Sequence, residues 1–290
     1  MSFTSITGSL VSTLNLLLPS LVVVATGYSL ARWLGLSTAP LNLLLRYVFL
    51  PVYLFVMLEK RMSFDTFFFV ALIGGAVVVA GFLIHRNAHR VLKSHIDASV
   101  AIPNVACFSI PFFALSWGGR GLGTACAFFV GVSIAAFILQ KKDFAKLFRE
   151  PWLYAALAGI LYNELRGSVQ LLDALLKPFM GAAYPLLLLL LGAALHPLEG
   201  FKDINVWVTS VLRVAIGFLV AWLGVTILPV TPAIAAGAVM ASMAPPTTQS
   251  LSLAGSTKDT PLSRGSANVG LLVSLIVFTL FLATGWKPWS

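Results

Sequence analysis

The sequence predicts an all-α integral membrane protein, and three observations carry that expectation. Hydrophobic residues make up 59% of the 290 positions without counting glycine, and charged residues only 10%. Soluble domains run at about 45–50% with glycine included, and at about 25% charged. Mean hydropathy is +0.94. The apolar residues also fall in long unbroken runs without period-two alternation, which excludes a closed β-barrel. A water-soluble globule of this size cannot hide so much apolar surface, and a chain this hydrophobic is neither disordered nor a coiled coil.

A spanning helix needs about 20 mostly apolar residues. On that measure there are ten spans, at about 14–33, 40–58, 66–85, 94–116, 121–140, 151–166, 179–197, 206–228, 232–255 and 265–285. Span 6 is short, and 168–178 (SVQLLDALLKP) reads as an extra amphipathic segment at the interface. The first 31 residues carry no side-chain charge. They lack the basic start of a secretory signal, so the first run is expected to be a retained span.

Nineteen Lys and Arg face ten Asp and Glu, a net charge of +9. The basic residues sit mainly in short gaps between apolar runs, so they read as membrane orientation and no nucleic-acid partner is expected. With the N-terminus outside, the inward loops hold 11 of them: Arg32, Arg86, Arg90, Lys93, Lys141, Lys142, Lys146, Arg149, Lys202, Lys258 and Arg264. The outward side holds six, and Arg46 and Arg213 lie inside spans. The bias predicts a multi-pass protein of the cell (plasma or inner) membrane, with both termini outside and the KKDFAKLFRE loop in the cytoplasm.

Five spans precede that loop and five follow it. The chain divides into a first half at 1–140, the basic loop at 141–150 and a second half at 151–290. An odd number of spans per half gives the halves opposite topology, so internal similarity would mean an inverted repeat. Pro19-x-Leu21-x5-Gly27 recurs as Pro151-x-Leu153-x5-Gly159, and Pro51 in span 2 matches Pro185 in span 7.

Pro103 lies inside span 4, and Pro245 and Pro246 inside span 9, the fourth spans of their halves. Proline removes a backbone donor and clashes with the preceding turn. In hydrocarbon the freed carbonyls must find partners in protein or in a water-filled cavity. Small or polar residues cluster at both breaks: Asn104, Cys107 and Ser109 at one, Ser242, Thr247, Thr248, Gln249, Ser250 and Ser252 at the other. If both spans break near the midplane, each second half starts there with free N–H groups and a partial charge of about +0.5. Two such ends facing each other suit an anion. The candidate substrate-binding residues are therefore Pro103, Asn104, Ser109, Pro245, Pro246, Thr247, Thr248 and Gln249.

At these residues the sequence resembles the auxin efflux carrier family, within the bile acid/arsenite/riboflavin transporter superfamily. The likeness covers about 14–285 and rests on PNVACFSIP in span 4, LNLLLRYVFLPVYLF in span 2, AAYPLLLLLLGAAL in span 7 and VMASMAPPTTQSLSLAGSTKD in span 9. The resemblance implies two inverted five-helix repeats with broken helices 4 and 9 crossing at the substrate site. It also implies elevator-like movement of a transport domain against a scaffold, and often a homodimer. By position Asn104 would contact a substrate carboxylate, and Pro103 and Pro245 would mark the crossing. Ser109 stands where the family has glycine, and Pro246 where auxin carriers have a polar residue, which points away from auxin. The second half also resembles bile acid sodium symporters, yet Asp97 and Asp259 sit only at the ends of spans 4 and 9.

Other residues carry weaker signals. Arg46 and Arg213 are charges inside spans and so candidates for function, although each lies near the inner end of its span and is open to snorkelling. His85 and His89 share a helix face, but Arg86 and Arg90 beside them repel a metal ion, and a solvated face is expected. Cys107 and Cys126 make neither a disulfide framework nor a metal site. His196 reads as an interfacial cap, and Trp286, Lys287 and Trp289 as an interfacial anchor. Ser133 in GVSIA lacks the glycine of a nucleophile turn, so no enzyme is expected. The sequence thus predicts a secondary carrier of a small organic anion without a cofactor, with a proton or sodium open as coupling ion. A sodium-coupled symporter and a non-transporting receptor are the alternatives.

Overall fold

Apolar runs in a membrane must satisfy their own backbone, and a helix does so within the segment. The computed structural model describes residues 3–91, 96–116, 118–139, 144–165, 170–247 and 260–283. Twelve α-helices run through them: α1 Phe3–Leu34, α2 Thr38–Leu44, α3 Leu50–Arg61, α4 Phe64–Val91, α5 Ile110–Ser116, α6 Gly118–Leu139, α7 Phe144–Leu147, α8 Pro151–Glu164, α9 Gln170–Ala194, α10 Ile204–Ile227, α11 Pro232–Ser242 and α12 Pro261–Ala283. Proline opens α8, α11 and α12, where the missing N–H has no helical acceptor to serve. A π-helical turn, Leu45–Phe49, joins α2 to α3 just before Pro51. Such a turn absorbs the register lost where proline cannot bond four residues back.

Seven of these helices are long and apolar enough to cross a membrane: Val11–Leu34, Thr38–Lys60, Phe64–Ala88, Gly121–Leu139, Ala174–Ala194, Ile204–Ile227 and Pro261–Ala283. They establish a multi-pass, all-helical membrane protein. Three of the ten expected spans fall short for identifiable reasons. At 14 residues, α8 is about 21 Å long against a hydrocarbon core of about 30 Å. Spans 4 and 9 are interrupted, and among the described residues they contribute the shorter apolar helices Val105–Ala114 and Pro232–Ser242.

The expected interfacial segment at 168–178 is corrected. From Gln170 onward it is the first part of α9, which runs unbroken through Pro178 and Pro185. A long apolar helix keeps enough bonds on either side to carry two prolines.

The helices sort into two packing groups. In one, α1 lies along α9 and α3 along α8; in the other, α4 lies along α6, α10 along α12, α4 against α10 and α11 against α6. Close backbone approach sets the first pair of contacts. A Cβ added to Gly27 on α1 would collide with the carbonyl of Leu189 on α9, and one added to Gly159 on α8 would lie 2.6 Å from the carbonyl of Phe55 on α3. Gly27 and Gly159 are the glycines of the repeated Pro-x-Leu-x5-Gly pattern. Leu189 and Phe55 are as far apart in sequence as the matched prolines Pro185 and Pro51.

Burial separates centre from rim. In α6 78% of the spanning window is buried, against 22% in α1. The outer faces stay apolar, with Leu14, Leu18 and Val22 on α1 and Leu219, Trp222 and Leu223 on α10 all exposed. Water would not tolerate such a surface, and lipid hydrocarbon does.

Candidate functional site

The first break is built locally. Asp97 caps a single 3-10 turn, Ala98–Ala101, its carboxylate accepting the Ser99 N–H at 2.8 Å and the Thr260 hydroxyl at 3.3 Å. Ile102 is extended (φ −115°, ψ 110°), as a residue before proline prefers. Helix resumes after Asn104, first as a π-helical turn, Val105–Ser109, and then as α5. Asn104 caps this second half: its Oδ1 accepts the Cys107 N–H at 3.2 Å.

The second break follows from Pro245 and Pro246. In a continuous helix their N–H groups would bond the carbonyls of Ala241 and Ser242, four residues back. Neither proline has an N–H, so those carbonyls turn elsewhere. The Ser109 hydroxyl donates to Ala241 O at 3.3 Å, and the Ala244 N–H shares that acceptor at 3.3 Å. The Arg213 guanidinium donates from Nη2 to Ser242 O at 2.7 Å. The Ser274 hydroxyl on α12 donates to Met243 O at 2.8 Å. The first break draws on Arg213 too, through a longer bond from Nη1 to Val100 O at 3.5 Å.

The two interruptions then cross. Pro103 and Pro246 form an isolated antiparallel bridge. The Asn104 N–H donates to Pro245 O at 2.8 Å, and the Thr247 N–H to Ile102 O at 3.0 Å. Two prolines can face each other only as the non-hydrogen-bonded pair of an antiparallel ladder, because the residues on either side make both bonds. The expected crossing of Pro103 with Pro245 is therefore shifted by one residue. Gly270 on α12 lets the crossing approach: a Cβ there would collide with Cδ of Pro246.

The site is enclosed. Asn104 is 3% exposed and Thr247 2%. Phe108, Phe112 and Phe113 of the second half-helix gather round Phe278 of α12 and seal one flank. Within this enclosure the Asn104 Nδ2 has no partner among the described residues, because the Oδ1 of the same amide is held by the helix it caps. An orphaned buried donor beside a helix start is suited to an anion or carbonyl oxygen. Among the described residues no group of three His, Cys, Asp or Glu could hold a metal ion.

The crossing brings together Pro103, Asn104, Ser109, Pro245, Pro246 and Thr247. Ser109 spends its proton on the other break. Thr248 and Gln249 lie outside the described residues, as do Ser250, Ser252, Asp259 and the second half of span 9. Trp286, Lys287 and Trp289 lie outside them too.

Arg46 makes a bidentate ion pair with Glu150, the residue before Pro151, with Nε to Oε2 at 2.9 Å and a second contact from Nη2 to Oε1. Arg213 is fully buried between the two breaks. His196 is exposed beside Tyr28, and His85 bonds the Ile96 carbonyl at 2.9 Å. The sequence reading missed Arg213 and Ser274 as donors to the second break. A mid-span cation or serine in a chain with a double proline is the signal that could have found them.

No protein-family model matches the chain, and no match is found among curated proteins.

Proposed function

We propose that the protein is a secondary carrier of a small organic anion, a carboxylate being the best fit, working by alternating access about the crossing of spans 4 and 9. One observation carries the reading most: the Asn104 Nδ2, buried and unpartnered at a helix start where two broken spans cross. An acceptor oxygen of a bound anion would complete it. Leaving it unmet costs about 1–3 kcal/mol, and its position at the crossing is what sets it apart from other buried unpartnered groups.

In this reading the chain has ten spans in two inverted five-span repeats, of the kind the auxin efflux carrier resemblance implies. The reciprocal packing supports it. Span 1 lies on span 7 as span 6 lies on span 2, and span 3 on span 5 as span 8 on span 10. The equivalent glycines Gly27 and Gly159 make equivalent approaches. Spans 1, 2, 6 and 7 form a scaffold, pinned by Arg46 and Glu150, and the remaining spans form the mobile unit that carries the crossing. Since the crossing is sealed, substrate reaches it only when that unit moves against the scaffold. An anion leaving a negative interior gains about 2.3 kcal/mol per charge per 100 mV, so export needs no coupled ion.

The test is counterflow in proteoliposomes with a panel of radiolabelled mono- and dicarboxylates. The expected result is saturable exchange of at least one of them, abolished by Asn104→Ala in a variant that still unfolds cooperatively, its melting point lowered only by the lost cap on Cys107 N–H. Binding without flux would replace the carrier with a receptor, and non-saturable flux without counterflow would make it a channel.

A further inference from the structure

Arg213 is a whole positive charge, 0% exposed, in the third turn of a spanning helix. The described residues offer it no acidic partner; its recorded bonds go to backbone carbonyls. Arginine does not lose its proton in proteins, so the charge is permanent. An unpaired charge at such depth is costly and is retained for a reason.

The reason lies in the two carbonyls. Ser242 is the last residue of α11, and its carbonyl was freed by Pro246. Val100 sits in the 3-10 turn that ends the first half of span 4. Ser242 ends an eleven-residue helix whose dipole places partial negative charge on its last carbonyls, and the Val100 carbonyl reaches the same guanidinium from the turn before Pro103. Left alone, these carbonyls would offset the attraction that the helix start at residue 105 exerts on an anion. Converging carbonyls in a dry site are also what a small hard cation seeks. Arg213 already holds them, and a Cβ built on Gly217 would lie 3.0 Å from its Nη2. A Cβ there would also collide with the Ser242 carbonyl, so the missing side chain at 217 lets α10 approach the break closely enough for Arg213 to reach it.

We propose that Arg213 is a resident counter-cation: it takes the place of a coupling sodium or potassium ion at the crossing and leaves the site net positive toward an anion. The inference rests on the carrier reading for its purpose, although its test needs no substrate. It also specifies the carrier as independent of alkali cations.

The experiment is a thermal unfolding series on purified full-length protein in nanodiscs, with sodium, potassium, guanidinium or choline chloride at matched ionic strength. Wild type is expected to melt at the same temperature in sodium, potassium and choline, and slightly lower in guanidinium, which weakens any fold. A sodium site of millimolar affinity would raise the melting point by roughly 3 °C or more at about 100 mM salt. Arg213→Gln is expected to melt lower in choline and to recover in sodium or guanidinium. Arg213→Lys should stay indifferent to the salt. If Arg213→Gln cannot be purified in choline, recovery on purification in guanidinium or sodium supports the proposal, and failure in every salt overturns it. Wild type stabilised by sodium over choline overturns it, as does a folded Arg213→Gln that ignores every cation. Failed carboxylate counterflow with these thermal responses intact would remove the carrier and leave the counter-cation. Flux driven by a sodium gradient in wild type would do the reverse.

Discussion

Replacing Glu150 with Gln tests how the scaffold is held. Glu150 is 4% exposed and receives two bonds from Arg46, whose side chain is 27% exposed. The partners are 104 residues apart and tie the π-helical turn before α3 to the start of α8. Removing one member of a fully buried pair costs about 3–5 kcal/mol, because the other is left uncompensated. Arg46 keeps some access to the surroundings, so the expected loss is lower, about 2–3 kcal/mol. For a chain of this size that corresponds to a melting-point drop of roughly 3–5 °C. Replacing both residues with Met removes the stranded charge, and the double variant should recover part of the loss. A double-mutant cycle in nanodiscs, read by unfolding, should give a coupling of about 1–3 kcal/mol. Additive effects of the two single changes would show that the pair is incidental and that α3 and α8 are held by packing alone.

The serines at the second break should differ in weight. Ser274→Ala strands the Met243 carbonyl and should cost about 1–2 kcal/mol, whereas Ser109→Ala should cost less, because the Ala244 N–H still reaches Ala241 O; thermal unfolding of the two variants side by side reads the order. Gly270→Ala places a methyl group against Pro246 and should displace the crossing, so carboxylate counterflow should fall further than stability does. Unchanged counterflow in that variant would mean that α12 can move away from the crossing without consequence.

Where a chain breaks is a local matter, and the break positions were readable. Pro103 and Pro245 to Pro246 sit at the breaks of spans 4 and 9, where small polar residues flank the prolines, whereas Pro19, Pro178 and Pro185 are carried inside continuous helices. The membrane class was equally local, a consequence of apolar runs too long and too even for any other solvent. Continuity was harder: the segment at 168–178 looked polar enough to lie apart, yet from Gln170 through Pro178 it was absorbed into α9.

The chain alone therefore determined that this is a multi-pass helical protein with two interrupted spans rich in small polar residues. Only the tertiary structure decided who serves the carbonyls those interruptions set free. Ser109, Arg213 and Ser274 come from three different helices, and the Asn104 N–H meets Pro245 across a contact 141 positions wide. It likewise decided that Arg46 pairs with Glu150. A missing hydrogen-bond donor is a property of one residue. Its replacement depends on which helices pack together, a relation between distant residues that no local pattern records.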